Sequence, residues 1–168
     1  PDGVTHDTRW VTPFPLFMTH GKGAYKWDVD NNKINDFVMG HGSMLLGHAH
    51  PDVVSAVQEA ASRGSHLGGN TEQEMQWAQL VCDLVPAAEK VRFTMSGTEA
   101  SLLAFRLARA YSGKTKLLKF KNNFHGWHDY SILGEGRGMG GVPEAAKNTM
   151  IVAEPDLTIV EQHLSNDK

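Results

Sequence analysis

The chain has 168 residues, a formal net charge of -3, 40% hydrophobic residues and 21% charged residues, the composition of an ordinary globular domain. The mild acidity gives no electrostatic reason to expect a nucleic-acid partner, and no apolar run approaches the ~18 residues of a membrane span. One cysteine, Cys82, excludes an internal disulfide and makes a reducing cytoplasm the expected compartment.

The first residue is Pro1, and no charged-then-apolar segment reads as a signal peptide. A chain of this length can bury a core, roughly 70% of the unfolded surface at about 150 residues. Pro13 and Pro15 keep the opening segment extended. Residues 24–30 alternate, with Tyr25, Trp27 and Val29 on one face, and residues 34–39 form a second strand. The Asn31-Asn32 turn signal between them predicts a β-hairpin. Residues 40–50 hold three glycines and three histidines and read as irregular.

Pro51 opens a helix with Val53, Val54, Val57, Ala60 and Ala61 on its apolar face, and Gly64 ends it. Thr71 and Glu74 have capping-box spacing ahead of a second helix that runs to Pro86. Val91 to Met95 is a short strand, and Thr98 to Tyr111 a helix with Leu102, Leu103, Leu107 and Ala110 toward the core, closed by Gly113. Leu117, Leu118 and Phe120 belong to another strand, flanked by Lys119 and Lys121 as surface charges. Met150 to Ala153 is a third, and a last helix runs from about Asp156 to Leu164. Strands alternating with helices imply an α/β fold with a mainly parallel sheet, whose ligands bind at the carboxyl ends of the strands.

Chemistry-bearing residues cluster at such ends. Ser96-Gly97-Thr98-Glu99-Ala100 lies where a strand gives way to a helix. Unpaired N–H groups, two hydroxyls and a glycine that admits close approach are the parts of a phosphate cradle. The same residues also make a plain helix cap, with Glu99 three positions after Ser96. Phe124-His125-Gly126-Trp127-His128 follows the next strand. Its aromatics either stack on a flat ligand or cap the core, and its histidines lack the companion ligands of a zinc site. His48 and His50 either bind a metal or, the better-supported reading, cap a turn with imidazoles that hydrogen-bond backbone ahead of a helix. Gly136 to Gly141 lacks the strand and helix of a dinucleotide fingerprint and reads as a surface or interface loop. Arg9 offers a guanidinium fork for a carboxylate, or is simply a surface charge.

These segments occur in one order: Pro1 to Trp10, Gly23-Ala24-Tyr25 with Asp28-Val29-Asp30, Leu45 to Pro51, Val91-Arg92-Phe93, Ser96 to Ala100, Arg106 to Ala110 and Phe124-His125-Gly126. The order resembles the class III pyridoxal-phosphate aminotransferases along the whole chain. Within that class it is similar to glutamate-1-semialdehyde 2,1-aminomutase and to relatives acting on β-amino acids.

The resemblance implies a type I pyridoxal-phosphate aminotransferase fold, incomplete here. Residues 1–50 would belong to the small domain and 51–168 to the first part of the cofactor domain. It implies that Ser96, Gly97 and Thr98 hold the phosphate of pyridoxal 5'-phosphate, with Phe124 stacked on the ring and His125 beside it. It implies that Arg9 and His41 face the substrate and that the protein is a homodimer using amino acids and keto acids. The Schiff-base lysine is expected beyond Lys168, so no catalytic residue is assigned, and the chain alone is expected to be inactive. Phe124 stands where many relatives have tyrosine. Gly40 and His41 stand where the aminomutase has serine and tryptophan, and Met95 where it has asparagine. These departures favour an aminotransferase over the aminomutase. A non-catalytic phosphate- or metal-binding module is the alternative from another class, and a dimerising pseudoenzyme a third.

Overall fold

The structure, a computed structural model, describes residues 3–6, 9–134 and 140–166. The chain divides into two compact units, Pro1–Thr71 and Glu72–Lys168.

The first unit is built on an antiparallel meander of β1 (Met18–Lys22), β2 (Tyr25–Asp28) and β3 (Lys33–Asn35), in that order. The predicted hairpin is the β2–β3 pair, with Tyr25 opposite Asn35 and Trp27 opposite Lys33. Asp28 closes its turn by accepting from the backbone N–H of Asp30 and Asn32, at 3.0 and 2.8 Å. Two details differ from expectation. β1 has no alternating apolar pattern, and it is recruited by pairing with β2, where His20 stacks on Trp27 at 4.6 Å. The strand expected over residues 34–39 stops at Asn35, because the Asp36 carboxylate accepts from the N–H groups of Val38 and Met39 and bends the chain. Helix α1 (Pro51–Ser62) starts on its proline as expected.

The second unit opens with α2 (Glu72–Leu84). The strand expected over residues 91–95 does not form. Among the described residues no strand lies beside it, so it joins no ladder, and Phe93 instead stacks on Trp77 of α2 at 3.8 Å. Helix α3 (Gly97–Ser112) leads to β4 (Leu117–Phe120), which pairs in parallel with β5 (Met150–Ala153) in the register Leu117↔Met150 to Phe120↔Ala153. The four-residue helix α4 (Glu144–Lys147) after Pro143 is too short to show a period in sequence. Helix α5 (Leu157–Asn166) is capped by Asp156, whose Oδ1 accepts from Thr158 and Ile159.

A small core of Ile132, Leu133, Val142, Ala146 and Met150, joined by Leu117 and Tyr130, lies in the second unit. Lys119 is 4% exposed. It therefore belongs to the interior of β4, contrary to the surface role expected of it. Its side chain shares the strand face of Leu117, and the segment around Ser131 covers that face. Lys121 is a surface charge as expected, paired with Glu154 at 2.7 Å.

The apolar stripes of the helices exist, yet α1, α2 and α3 contain no buried residue. Val57 and Leu107, read as core-facing, are 61% and 60% exposed. A stripe declares a face, whereas burial needs a second element against it, and none of the described elements covers these. The 168-residue chain purified alone is therefore expected to bind an apolar dye such as ANS strongly and to melt with little cooperativity. A sharp melt without dye binding would contradict this.

Candidate functional site

The first turn of α3 is held by a closed set of short-range hydrogen bonds. Ser96 adopts an extended backbone, and its Oγ accepts from Glu99 N–H at 3.2 Å. The Glu99 carboxylate reaches back to accept from Met95 N–H at 2.7 Å. Thr94 Oγ1 donates to the Ser96 carbonyl at 3.0 Å and braces the approach. The cap read in the sequence is thus formed. It leaves the N–H groups of Gly97 and Thr98 and the Thr98 hydroxyl with no protein partner among the described residues. A Cβ built on Gly97 would meet nothing within 4 Å, so the space beside Gly97 itself is open.

The aromatic segment is part of a loop that leaves β4 and returns. Its neck is closed by Asn122 N–H donating to Gly134 O at 3.3 Å, the arrangement of an Ω-loop. Gly126 is pressed on the cradle turn. Its φ is +113°, and a Cβ there would lie 2.7 Å from Thr98 Cα and 2.8 Å from Thr98 Oγ1. Only glycine combines that conformation with that approach. Ser101, one turn into α3, ties the loop down: its hydroxyl donates to the His125 carbonyl and lies 3.1 Å from His128 Nε2. The hydroxyl has one proton, so the pairing is satisfied when His128 Nε2–H donates to it. Nδ1 of His128 is buried without a partner, which suits an unprotonated nitrogen, and burial pushes the imidazole below its ordinary range. His128 is thereby a neutral staple. Phe124 is 58% exposed and meets Trp127 edge to face at 6.1 Å. His125 is exposed.

In the first unit Arg9 is exposed, and its Nη1 contacts Thr5 Oγ1 at 3.5 Å. His41 is exposed in a turn, with φ of +57°. The histidines differ from the expected imidazole-to-backbone cap: the His48 ring bonds a carboxylate, and the His50 ring makes no cap hydrogen bond to α1. The backbone of His48 pairs with Gly23 in both directions at 2.8 Å, and its Nε2 lies 2.7 Å from the buried Asp36 carboxylate. Asp36 also accepts from Lys26 at 3.1 Å. His48 and Lys26 hold the Asp36 carboxyl well below the usual carboxylate range. Ser101, Ser131, Lys119 and Asp36 escaped notice in the sequence as site-building residues. Their signal was faint: a serine three positions after Thr98 on α3, and one charge inside an apolar strand. Of Gly136 to Gly141, residues 136–139 lie outside the described residues. Among the described residues no three His, Cys, Asp or Glu side chains converge as for a metal, and no helix is long and apolar enough to cross a membrane.

The parallel strands, the cradle at the start of α3 and the aromatic loop after β4 define the early part of a type I pyridoxal-phosphate aminotransferase fold. The chain belongs to the class-III aminotransferase family, whose family model, "Aminotransferase class-III", matches residues 7–139. It is 43% identical to glutamate-1-semialdehyde 2,1-aminomutase of Syntrophomonas wolfei, over 96% of this chain and 40% of that protein. It is 44% identical to the same enzyme of Salinibacter ruber, over the same shares. An omega-transaminase from Sphaerobacter thermophilus superposes with a TM-score of 0.93 at 31% identity, over 99% of this chain and 41% of that one. A structure described as a transaminase with PLP bound gives 0.94 at 30% identity, over 99% and 41%. A glutamate-1-semialdehyde aminomutase from Pseudomonas aeruginosa gives 0.77 at 29%, over 94% and 37%. The chain thus spans about two fifths of the length of the curated relatives it matches.

Two variants test the local geometry. Gly126→Ala introduces backbone strain of about 1–3 kcal/mol together with a clash against Thr98. It is expected to lower the melting temperature and to speed amide exchange across residues 124–128, and unchanged exchange would refute the contact. Asp36 binds fewer protons folded than unfolded near its ordinary value. Its stabilisation is therefore full well above its ordinary value of about 4 and is lost progressively as the pH falls from about 5 towards the much lower folded value. Asp36→Asn should lower the melting temperature at pH 7 and flatten its decline between pH 5 and 3. Identical profiles would show that the pair with His48 contributes nothing.

Proposed function

We propose that this chain supplies the cofactor cradle and ring wall of a pyridoxal-phosphate-dependent aminotransferase that moves an amino group between an amino acid and a keto acid or aldehyde. The observation that carries the reading is the pair of N–H groups at Gly97 and Thr98 that have no partner among the described residues, on a turn that is open at Gly97 and against which the Phe124 loop is pinned. A dianionic phosphate fits that donor set. Backbone N–H groups and the positive end of the α3 dipole favour negative charge by up to ~2 kcal/mol. The Thr98 hydroxyl is free to donate, and Ser96 Oγ uses only a lone pair in the cap.

In this reading Ser96, Gly97 and Thr98 hold the phosphate. Phe124 offers a π-face and no hydroxyl, so it positions the pyridine ring by stacking alone. His125 lies beside it. Arg9 binds a substrate carboxylate through its guanidinium fork, and His41 lines the substrate side. When bound, the cofactor supplies an electron sink for the substrate's Cα electrons. The residues of this chain anchor and orient, and none of its lysines is given the covalent role. The remaining partners are small-molecule amino acids and keto acids and a second subunit.

The curated relatives at 43–44% identity are aminomutases, which supports isomerisation within one molecule as a second reading. The complete protein loaded with pyridoxal phosphate separates the two. Transfer between molecules needs an added acceptor, whereas a mutase converts glutamate-1-semialdehyde without one. Arg9→Ala in the complete protein should weaken carboxylate substrates by roughly tenfold to a hundredfold, the loss of a charged hydrogen bond of about 1.5–3 kcal/mol. Amines without a carboxylate should be spared, and an unchanged KM for the amino acid would remove Arg9 from the site.

A further inference from the structure

The Phe124 loop is fixed from below by a buried polar column that the cofactor reading does not use. Lys119 sits in β4 opposite Val152 of β5, and its Nζ donates to the Ser131 carbonyl at 2.6 Å. Ser131 is 0% exposed, and its Oγ donates to the Gly126 carbonyl at 2.6 Å. Gly126 in turn rests on Thr98 at the limit of backbone approach. At the loop's other end Gly134 lies against the neighbouring strand β5: a Cβ there would come within 2.5 Å of Val152 Cγ1. The column therefore runs from the sheet through Lys119, Ser131 and Gly126 to the first turn of α3. Phe124 is two residues from its upper end.

A lysine in this place is expensive. An apolar side chain would fill the strand interior without desolvating an ammonium group. The ammonium provides, as an apolar group cannot, a directed bond to the Ser131 carbonyl of the loop. We infer that Lys119 and Ser131 are positioning residues that set the height of the Phe124 ring above the phosphate cradle, and through it the fit for a flat, phosphorylated ring. The inference rests on the cofactor reading and extends it to residues that touch neither ring nor phosphate.

The test uses the complete protein stripped of cofactor and titrated with pyridoxal 5'-phosphate, following binding by visible absorbance and by the circular dichroism of the bound chromophore. Ser131→Ala and Lys119→Met should each weaken binding by about tenfold, the consequence of losing one buried hydrogen bond, and should reduce the dichroism per bound cofactor. Lys121→Met, which changes a surface charge just beyond β4, should leave both unchanged. In the cofactor-free protein, amide exchange of residues 124–126 should be faster in Ser131→Ala. If Lys119→Met does not fold, Ser131→Ala, a loss of one oxygen, decides alone. Wild-type affinity, dichroism and exchange in Ser131→Ala would overturn the inference while leaving the cofactor reading intact. A wild-type protein that binds no pyridoxal phosphate would overturn the cofactor reading and the positioning role with it.

Discussion

The candidate site depends on the contact between Gly126 and Thr98. A loop of this size has many conformations, and its aromatic ring is useful only if one of them is fixed relative to the donors on α3. The missing side chain at Gly126 lets the loop backbone reach the helix turn itself. Once it is there, the other interactions act on a short lever. Ser101 binds the neighbouring carbonyl, His128 binds Ser101, and Ser131 holds the Gly126 carbonyl from the opposite side. Each of these side chains is short or neutral, so the loop is clamped against α3 without a formal charge.

The residues that sequence reasoning located are those whose signals are local. The boundaries of α1 and α3, the strands β4 and β5 and the cap at Ser96 follow from proline, glycine, hydroxyl and apolar spacing within a few positions. What it misjudged depends on distant partners. Residues 91–95 have strand composition, but β-propensity describes fitness for a sheet surface and cannot supply the neighbouring strand. Lys119 looks like a flanking charge because its covering residue, Ser131, lies twelve positions away across the loop. Asp36 and His48 are separated by the same interval. Their pairing turns a histidine that invites a metal reading into a structural group of the first unit.

The distribution of burial has the same origin. The few buried apolar side chains gather where the loop after β4, α4 and β5 return on one another. The helices that precede them keep open stripes. Helical periodicity was legible in all three long helices, but the cover for a stripe is a non-local fact. Around the first turn of α3 and the loop, hydrogen bonds and close backbone packing take the place of a large core.

The two readings of Ser96 to Ala100 that the sequence leaves open, helix cap and phosphate cradle, are compatible in atomic detail. A carboxylate in the first turn of a helix favours the helix and disfavours a second anion. Glu99 resolves the conflict by turning its carboxylate back to Met95 N–H, so part of its charge is neutralised away from the open side of the turn. Ser96 contributes one lone pair to Glu99 N–H and keeps its proton. The cap consumes the Met95 and Glu99 N–H groups and leaves those of Gly97 and Thr98, beside a glycine whose Cβ position is open. Capping thus selects which N–H groups remain for an anion. The helix start is therefore capped by its own residues, with the Gly97 and Thr98 N–H groups left over.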